Sequence, residues 1–195
     1  TTYLIAEVIA ITVTGWLTRT MSTRWLFVVA MVGFVLASGA CAASHSYWTL
    51  FALRFVQGLF GGAIIPVIFF AAFLMFPLRQ QALATVIGGG LAMLAPTLGP
   101  FIGGWITDVS TWRWLFFVNI VPGAFIAIAL PMLGKVDTAQ PAMLKKIDWL
   151  HVASLAMFLG CLQYVLEEGP RNQWFEDQTI QTVAWVSFVA MIVFF

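Results

Sequence analysis

Seven long apolar stretches decide what this chain can become. They run over about residues 3–18, 25–43, 49–76, 82–107, 114–133, 149–166 and 179–195. A helix crosses the hydrocarbon core of a bilayer with about 20 apolar residues. Backbone polar groups in lipid must be satisfied internally. Stretches this long, without strict alternation, therefore predict helices and not barrel strands. The third and fourth exceed what a bilayer requires, which predicts tilt, kinks or overhang. The composition agrees: 62% of the residues are hydrophobic and 9% charged, where a soluble domain is about a quarter charged. The chain reads as an all-α integral membrane protein. A net charge of +1 with scattered basic residues gives no footprint for nucleic acid.

Thr1 runs straight into apolar sequence, and Phe195 closes inside another apolar stretch. Both ends predict a piece of a longer polytopic protein, so the lack of a leader peptide carries no weight. Lysine and arginine in the connections set the orientation. Arg19, Arg24, Arg79, Lys135, Lys145 and Lys146 lie on one side, against Arg113 and Arg171 on the other. Six against two predicts that the first side faces the cytoplasm. Residues 134–148 form the longest connection, expected to be a short cytoplasmic linker. Trp16, Trp25, Trp48, Trp105, Trp112, Trp114 and Trp149 stand near stretch ends, as an interfacial aromatic belt does.

Two charges stand inside apolar stretches. Arg54 is the only charged residue between 49 and 76. An arginine within a span costs about 2.5–3.5 kcal/mol on insertion scales and usually faces a polar interior. Gln57, Gly58, Gly61 and Gly62 lie three, four, seven and eight residues on, hence on the same helical face, while Phe55, Leu59, Phe60 and Ile64 tend toward the greasy remainder. Snorkelling to the outer surface, about 8 Å away at 1.5 Å per residue, is the alternative. Glu7 lies about 17 Å from the cytoplasmic edge near Thr18, close to the midplane. Desolvation there penalises the charged carboxylate, which makes Glu7 a candidate for binding and releasing a proton. A structural acid held by neighbouring helices is the alternative. The different depths of the two residues argue against a direct pair.

In the fourth stretch Gly88, Ala92, Ala95, Gly99 and Gly103 recur every three or four residues. Such a line of small side chains permits close approach by another helix. Pro96 and Pro100 predict a kink, because they free the carbonyls of Ala92 and Pro96. Tight packing in a static bundle and a flexible contact between moving halves both fit. Several chemistries drop out. The glycines at 88–90 lack a following Lys-Ser/Thr, and no nucleophile motif occurs, so no ATPase or hydrolase is expected. Cys41 and Cys161 lie in apolar stretches and read as small fillers. His45 and His151 read as interfacial residues, and no metal or cofactor is expected.

Three segments together resemble the major facilitator superfamily, and most closely its fourteen-span drug:proton antiporter branch of the EmrB/QacA type. L53-RFVQGLFGGAIIP-V67 is similar to the fourth-span motif, with Gln57 and Gly58 three and four residues after Arg54. A95-PTLGPFIGG-W105 is similar to the antiporter motif of span five, with Gly99, Pro100, Gly103 and Gly104 matching. W112-RWLFFVNIVPG-123 resembles the signature opening span six, its proline displaced by one position. G15-WLTRTMSTR-W25 occupies the place of the loop motif Gly-x-Leu-x-Asp-x-x-Gly-Arg-Lys. Gly15 and Arg24 match, but Arg19 replaces the aspartate, Ser22 the glycine and Thr23 the first basic residue, which puts that motif's salt-bridge gating role in doubt.

The resemblance implies a partial helix bundle. Residues 1–133 would supply spans two to six, 134–148 the linker, and 149–195 two further spans between the bundles. It also implies proton-coupled efflux by alternating access, with Arg54 and membrane carboxylates in the coupling and a cavity for lipophilic, often cationic compounds. Glu7 is the candidate carboxylate, which the family motifs do not assign. Lipid and protons are the other implied partners, with a periplasmic adaptor and outer-membrane channel as candidates. The implied location is a bacterial inner membrane. An importer or uniporter of the same fold is the main competitor, and a seven-helix receptor or scaffold the remote one.

Overall fold

The structure is a computed structural model that describes residues 1–132 and 148–195. The expected linker, with Lys135, Lys145 and Lys146, lies almost entirely outside the described residues. Helices follow the apolar stretches closely: α1 Thr2–Met21, α2 Thr23–Ala43, α3 Tyr47–Met75, α4 Leu78–Val109, α5 Trp114–Ala129, α6 Trp149–Glu168 and α7 Gln178–Phe194. The first six, α5 counted with a 3₁₀ turn at Leu130–Met132, are long and apolar enough to cross a membrane, and α7 is a shorter apolar helix. Large apolar side chains are exposed over their outer faces, as a chain solvated by lipid requires.

The α1 hydroxyls show how a spanning helix accommodates polar side chains. Thr12, Thr14, Thr18 and Thr20 each donate to a carbonyl three or four residues back on α1 itself. Helix ends are tied by side chains. Asp148 accepts from the backbone N–H groups of Leu150 and His151, and Asp177 from those of Thr179 and Ile180. Such caps satisfy the orphan donors of a first turn. The Gln81 amide donates to the carbonyls of Phe73 and Phe76 and closes the turn between α3 and α4.

Glycines set the tightest contacts. A Cβ built on Gly62 would fall 2.8 Å from the Cα of Glu7 and closer still to its carbonyl oxygen; one on Gly58 would meet the carbonyl of Tyr3. The backbones of α3 and α1 therefore touch. Gly33 of α2 receives the ring of Phe60, and Gly123 of α5 lies against Val35 of α2. Phe60 is thus half-buried against α2 and not on the outer surface. α6 packs on α7 and on α1, where Trp16 and Trp149 meet edge to face, 6.2 Å between ring centres.

The small-residue line of α4 is largely open among the described residues. α4 has no buried residue. A Cβ on Gly99 or Gly104 would meet nothing within 4 Å, and one on Gly103 only Leu115 at 3.6 Å. A line of small residues permits close approach without selecting the helix that makes it; at its glycines this one meets side chains of α3 and α5, Phe69 at Gly88 and Leu115 at Gly103, and no helix backbone. Pro96 and Pro100 both lie inside α4, which is helical from Leu78 to Val109.

Candidate functional site

The site forms where α1, α2, α3 and α5 meet around Arg54. Its guanidinium is half-buried. Nη1 donates to Oε1 of Gln57, one turn along α3, at 2.9 Å. Gln57 is 1% exposed, and its amide nitrogen donates to the hydroxyl of Ser38 on α2 at 2.7 Å. Ser38 in turn donates to the carbonyl of Phe34 at 2.8 Å. The sulfur of Cys41 lies 3.9 Å from the same Gln57 oxygen. The chain Arg54–Gln57–Ser38–Phe34 thus ties α3 to α2 through three successive hydrogen bonds.

Two aromatic rings hold the other surfaces of the guanidinium. The Arg54 Cζ lies 4.9 Å from the centre of the Tyr3 ring on α1 and 5.4 Å from that of Phe116 on α5. Both distances fall within cation–π range. Phe116 is itself fixed in a small core with Cys41, Ala42, Leu50 and Leu53. Among the described residues, no carboxylate lies within ion-pair distance of Arg54.

Glu7 stands one turn beyond Tyr3 on the same face of α1. Its main chain touches Gly62 of α3, and its half-buried carboxylate has no hydrogen-bond or ion-pair partner among the described residues. Arg54, Gly58, Gly62 and Glu7 therefore share the α1–α3 contact, Gln57 faces α2, and Gly99, Pro100, Gly103 and Gly104 lie on α4, outside it. Gly15 and Arg19 are exposed on α1. Arg24 reaches across the bundle, where its Nη2 donates to the carbonyl of Pro131 beyond α5. Ser22, the residue in the motif's glycine position, joins α1 to α2 at φ 71° and ψ 140°, a conformation that glycine tolerates far better than serine.

Tyr3, Ser38 and Phe116 were not among the residues singled out from sequence. Tyr3 carries a usable signal, standing four residues before Glu7 and hence on its face. Ser38 carries none locally, and Phe116, although inside the segment 112–123, is not marked there as a partner of Arg54; both roles come from helices distant in the chain. At the opposite end from Arg24, Arg113 donates to the carbonyl of Ser44 and lies 3.4 Å from Nδ1 of His45. His151 pairs with Asp148 at 2.8 Å. Among the described residues, no group of three or more His, Cys, Asp or Glu side chains could hold a metal.

The family model for the Major Facilitator Superfamily matches residues 1–195. The chain belongs to this superfamily. It is therefore a multi-pass membrane protein of a transporter family and not an enzyme. It is 38% identical over 195 residues to the colistin resistance protein EmrB of Acinetobacter baumannii, a match covering all of this chain and 38% of that protein. It is 31% identical over 192 residues to the multidrug export protein EmrB of Escherichia coli K12, covering 98% of this chain and 37% of that protein. The fatty acid resistance protein FarB of Neisseria gonorrhoeae is 29% identical over 195 residues, covering 100% of this chain and 38% of that protein. The chain thus spans somewhat over a third of the length of these superfamily relatives.

Proposed function

We propose that this chain is part of a proton-coupled exporter of lipophilic compounds in a bacterial inner membrane, working by alternating access between two helix bundles. It would supply spans two to eight of fourteen, with the arginine-rich ends of α1 and α2 toward the cytoplasm. The observation that carries this reading is Arg54, placed inside the α1–α3–α5 contact and held there by two rings and an amide. An intramembrane charge so placed is costly for a static bundle and useful for one that binds and releases protons. Glu7, on the same helical contact, is the candidate acid. The relatives' names supply the substrate classes to try: colistin, mixed drugs and fatty acids. A periplasmic adaptor and outer-membrane channel remain candidate partners.

The test uses inverted membrane vesicles containing the full-length parent protein, energised to a pH gradient. Lipophilic cations, colistin and fatty acids are added, and proton movement is followed with a pH-sensitive dye. Substrate-driven dissipation is expected with wild type and is lost in Arg54→Ala and Glu7→Gln while both variants still fold. Dissipation unchanged in Glu7→Gln moves the proton site elsewhere. Normal coupled transport by Arg54→Ala removes the role given to the arginine. No response to any compound favours a narrow-substrate importer or uniporter.

A further inference from the structure

We propose that Tyr3 and Phe116 are positioning residues for Arg54, two ring faces that hold the guanidinium in place without neutralising it. The inference adds to the proton-coupling role proposed above for Arg54 and rests on that reading for its consequence in transport. It starts from a conflict. A guanidinium among apolar helices needs partners, yet a carboxylate partner would cancel the charge that makes it useful. Ring faces resolve the conflict, because an aromatic quadrupole attracts a cation while carrying no net charge. The two rings come from different helices, Tyr3 from α1 and Phe116 from α5. Gln57, itself fixed by Ser38, takes one N–H of the same group.

The arrangement is preorganised on each side. Phe116 is packed in the cluster with Cys41 and Ala42 and is 8% exposed. Tyr3 is set by the backbone contact between its own carbonyl and Gly58. The position of α1 against α3 therefore fixes the distance from the Tyr3 ring to Arg54. Glu7 rides on the same helix one turn away, so a displacement of α1 changes the ring contact and the placement of the acid together. Tyr3 thereby links the two intramembrane charges mechanically although they form no pair.

The experiment uses the full-length protein with two readouts. The first is the rate at which phenylglyoxal modifies Arg54, followed by mass spectrometry in detergent. The second is substrate-driven proton flux in vesicles. Tyr3→Leu and Phe116→Leu keep an apolar side chain and remove the ring face. Each is expected to raise the Arg54 modification rate and lower the flux by about tenfold, the scale of one desolvated cation–π contact, with the apparent KM for substrate unchanged. Tyr3→Phe restores both to within about twofold, as a ring-face role requires. A series of increasingly fluorinated phenylalanines at position 3 keeps the ring's shape and drains its face. That series covers the case in which the leucine variants fail to fold, and Arg54 reactivity should rise in step with fluorination. A flat fluorination series, or Tyr3→Phe as damaging as Tyr3→Leu, overturns the proposal. If wild type drives no proton flux, the transport reading falls, and Arg54 reactivity alone still decides whether the rings hold it.

Discussion

Replacing Gly62 with alanine tests whether two helix backbones really touch. The new Cβ would lie 2.8 Å from the Cα of Glu7, with the Glu7 carbonyl oxygen nearer still. Carbon atoms in contact sit about 3.5–4.0 Å apart, so α1 must retreat by about 0.7–1.2 Å. Overpacking of this kind costs about 1–3 kcal/mol. Alanine in a helix interior returns up to about 1 kcal/mol relative to glycine, so Gly62→Ala should lose about 0–2 kcal/mol net and fall about 1–3 kcal/mol below a control that keeps only the propensity gain. Gly15 on α1 supplies the control, since a Cβ there meets nothing within 4 Å and only the propensity gain should remain.

The identity of the clashing atoms sharpens the test. At Gly62 they belong to the main chain of Glu7, so Glu7→Ala cannot relieve the clash. At Gly33 they are the ring atoms of Phe60, 2.5–2.6 Å from the new Cβ, so Phe60→Leu should largely rescue Gly33→Ala. Equilibrium unfolding of the full-length protein, by titrating SDS into a mild detergent, gives both double-mutant cycles. Coupling is expected for the pair 33 and 60 and none for 62 and 7. Gly62→Ala as stable as Gly15→Ala would refute the backbone contact.

Two further outcomes follow from the turns and caps. Ser22→Gly should stabilise the protein by about 1 kcal/mol in the same titration, because it removes strain at a positive φ; a less stable glycine variant would count against that geometry. At Asp177 the backbone N–H groups of Ile180 and Thr179 hold the carboxyl below the ordinary aspartate range. A lowered folded value means that the cap's contribution is complete above the unfolded pKa, about 3.9, and is lost as pH falls through the lower folded value. Carbon-13 NMR of the Asp177 carboxyl should show that low midpoint, and a midpoint at or above the ordinary value would exclude the cap.

Helix positions are legible in this sequence because length and hydropathy are local properties. The stretch 49–76 becomes Tyr47–Met75, and 82–107 becomes Leu78–Val109. Arg54 and its Gln-Gly face are legible for the same reason, since residues three and four apart share a helical face. What is not legible is which helix meets which face. The glycines of α3 receive the backbone of α1, whereas the glycines of the similar line on α4 meet side chains alone, Phe69 at Gly88 and Leu115 at Gly103. Ser38 is the clearest case: nothing in its own stretch says that a glutamine nineteen residues on will need its hydroxyl.

The packing of α6 has a consequence for how such a molecule can be built. Among the described residues, the α6–α7 hairpin holds itself together, with Ser187 donating to the carbonyl of Phe158. It meets the rest of the bundle chiefly along α1. A pair of helices joined along one seam can be gained or lost during descent by matching a single helix face, without redesign of the interior. The same seam offers an engineer a handle. A probe on the outer side of α7 would report movement of α1 from a position remote from Arg54.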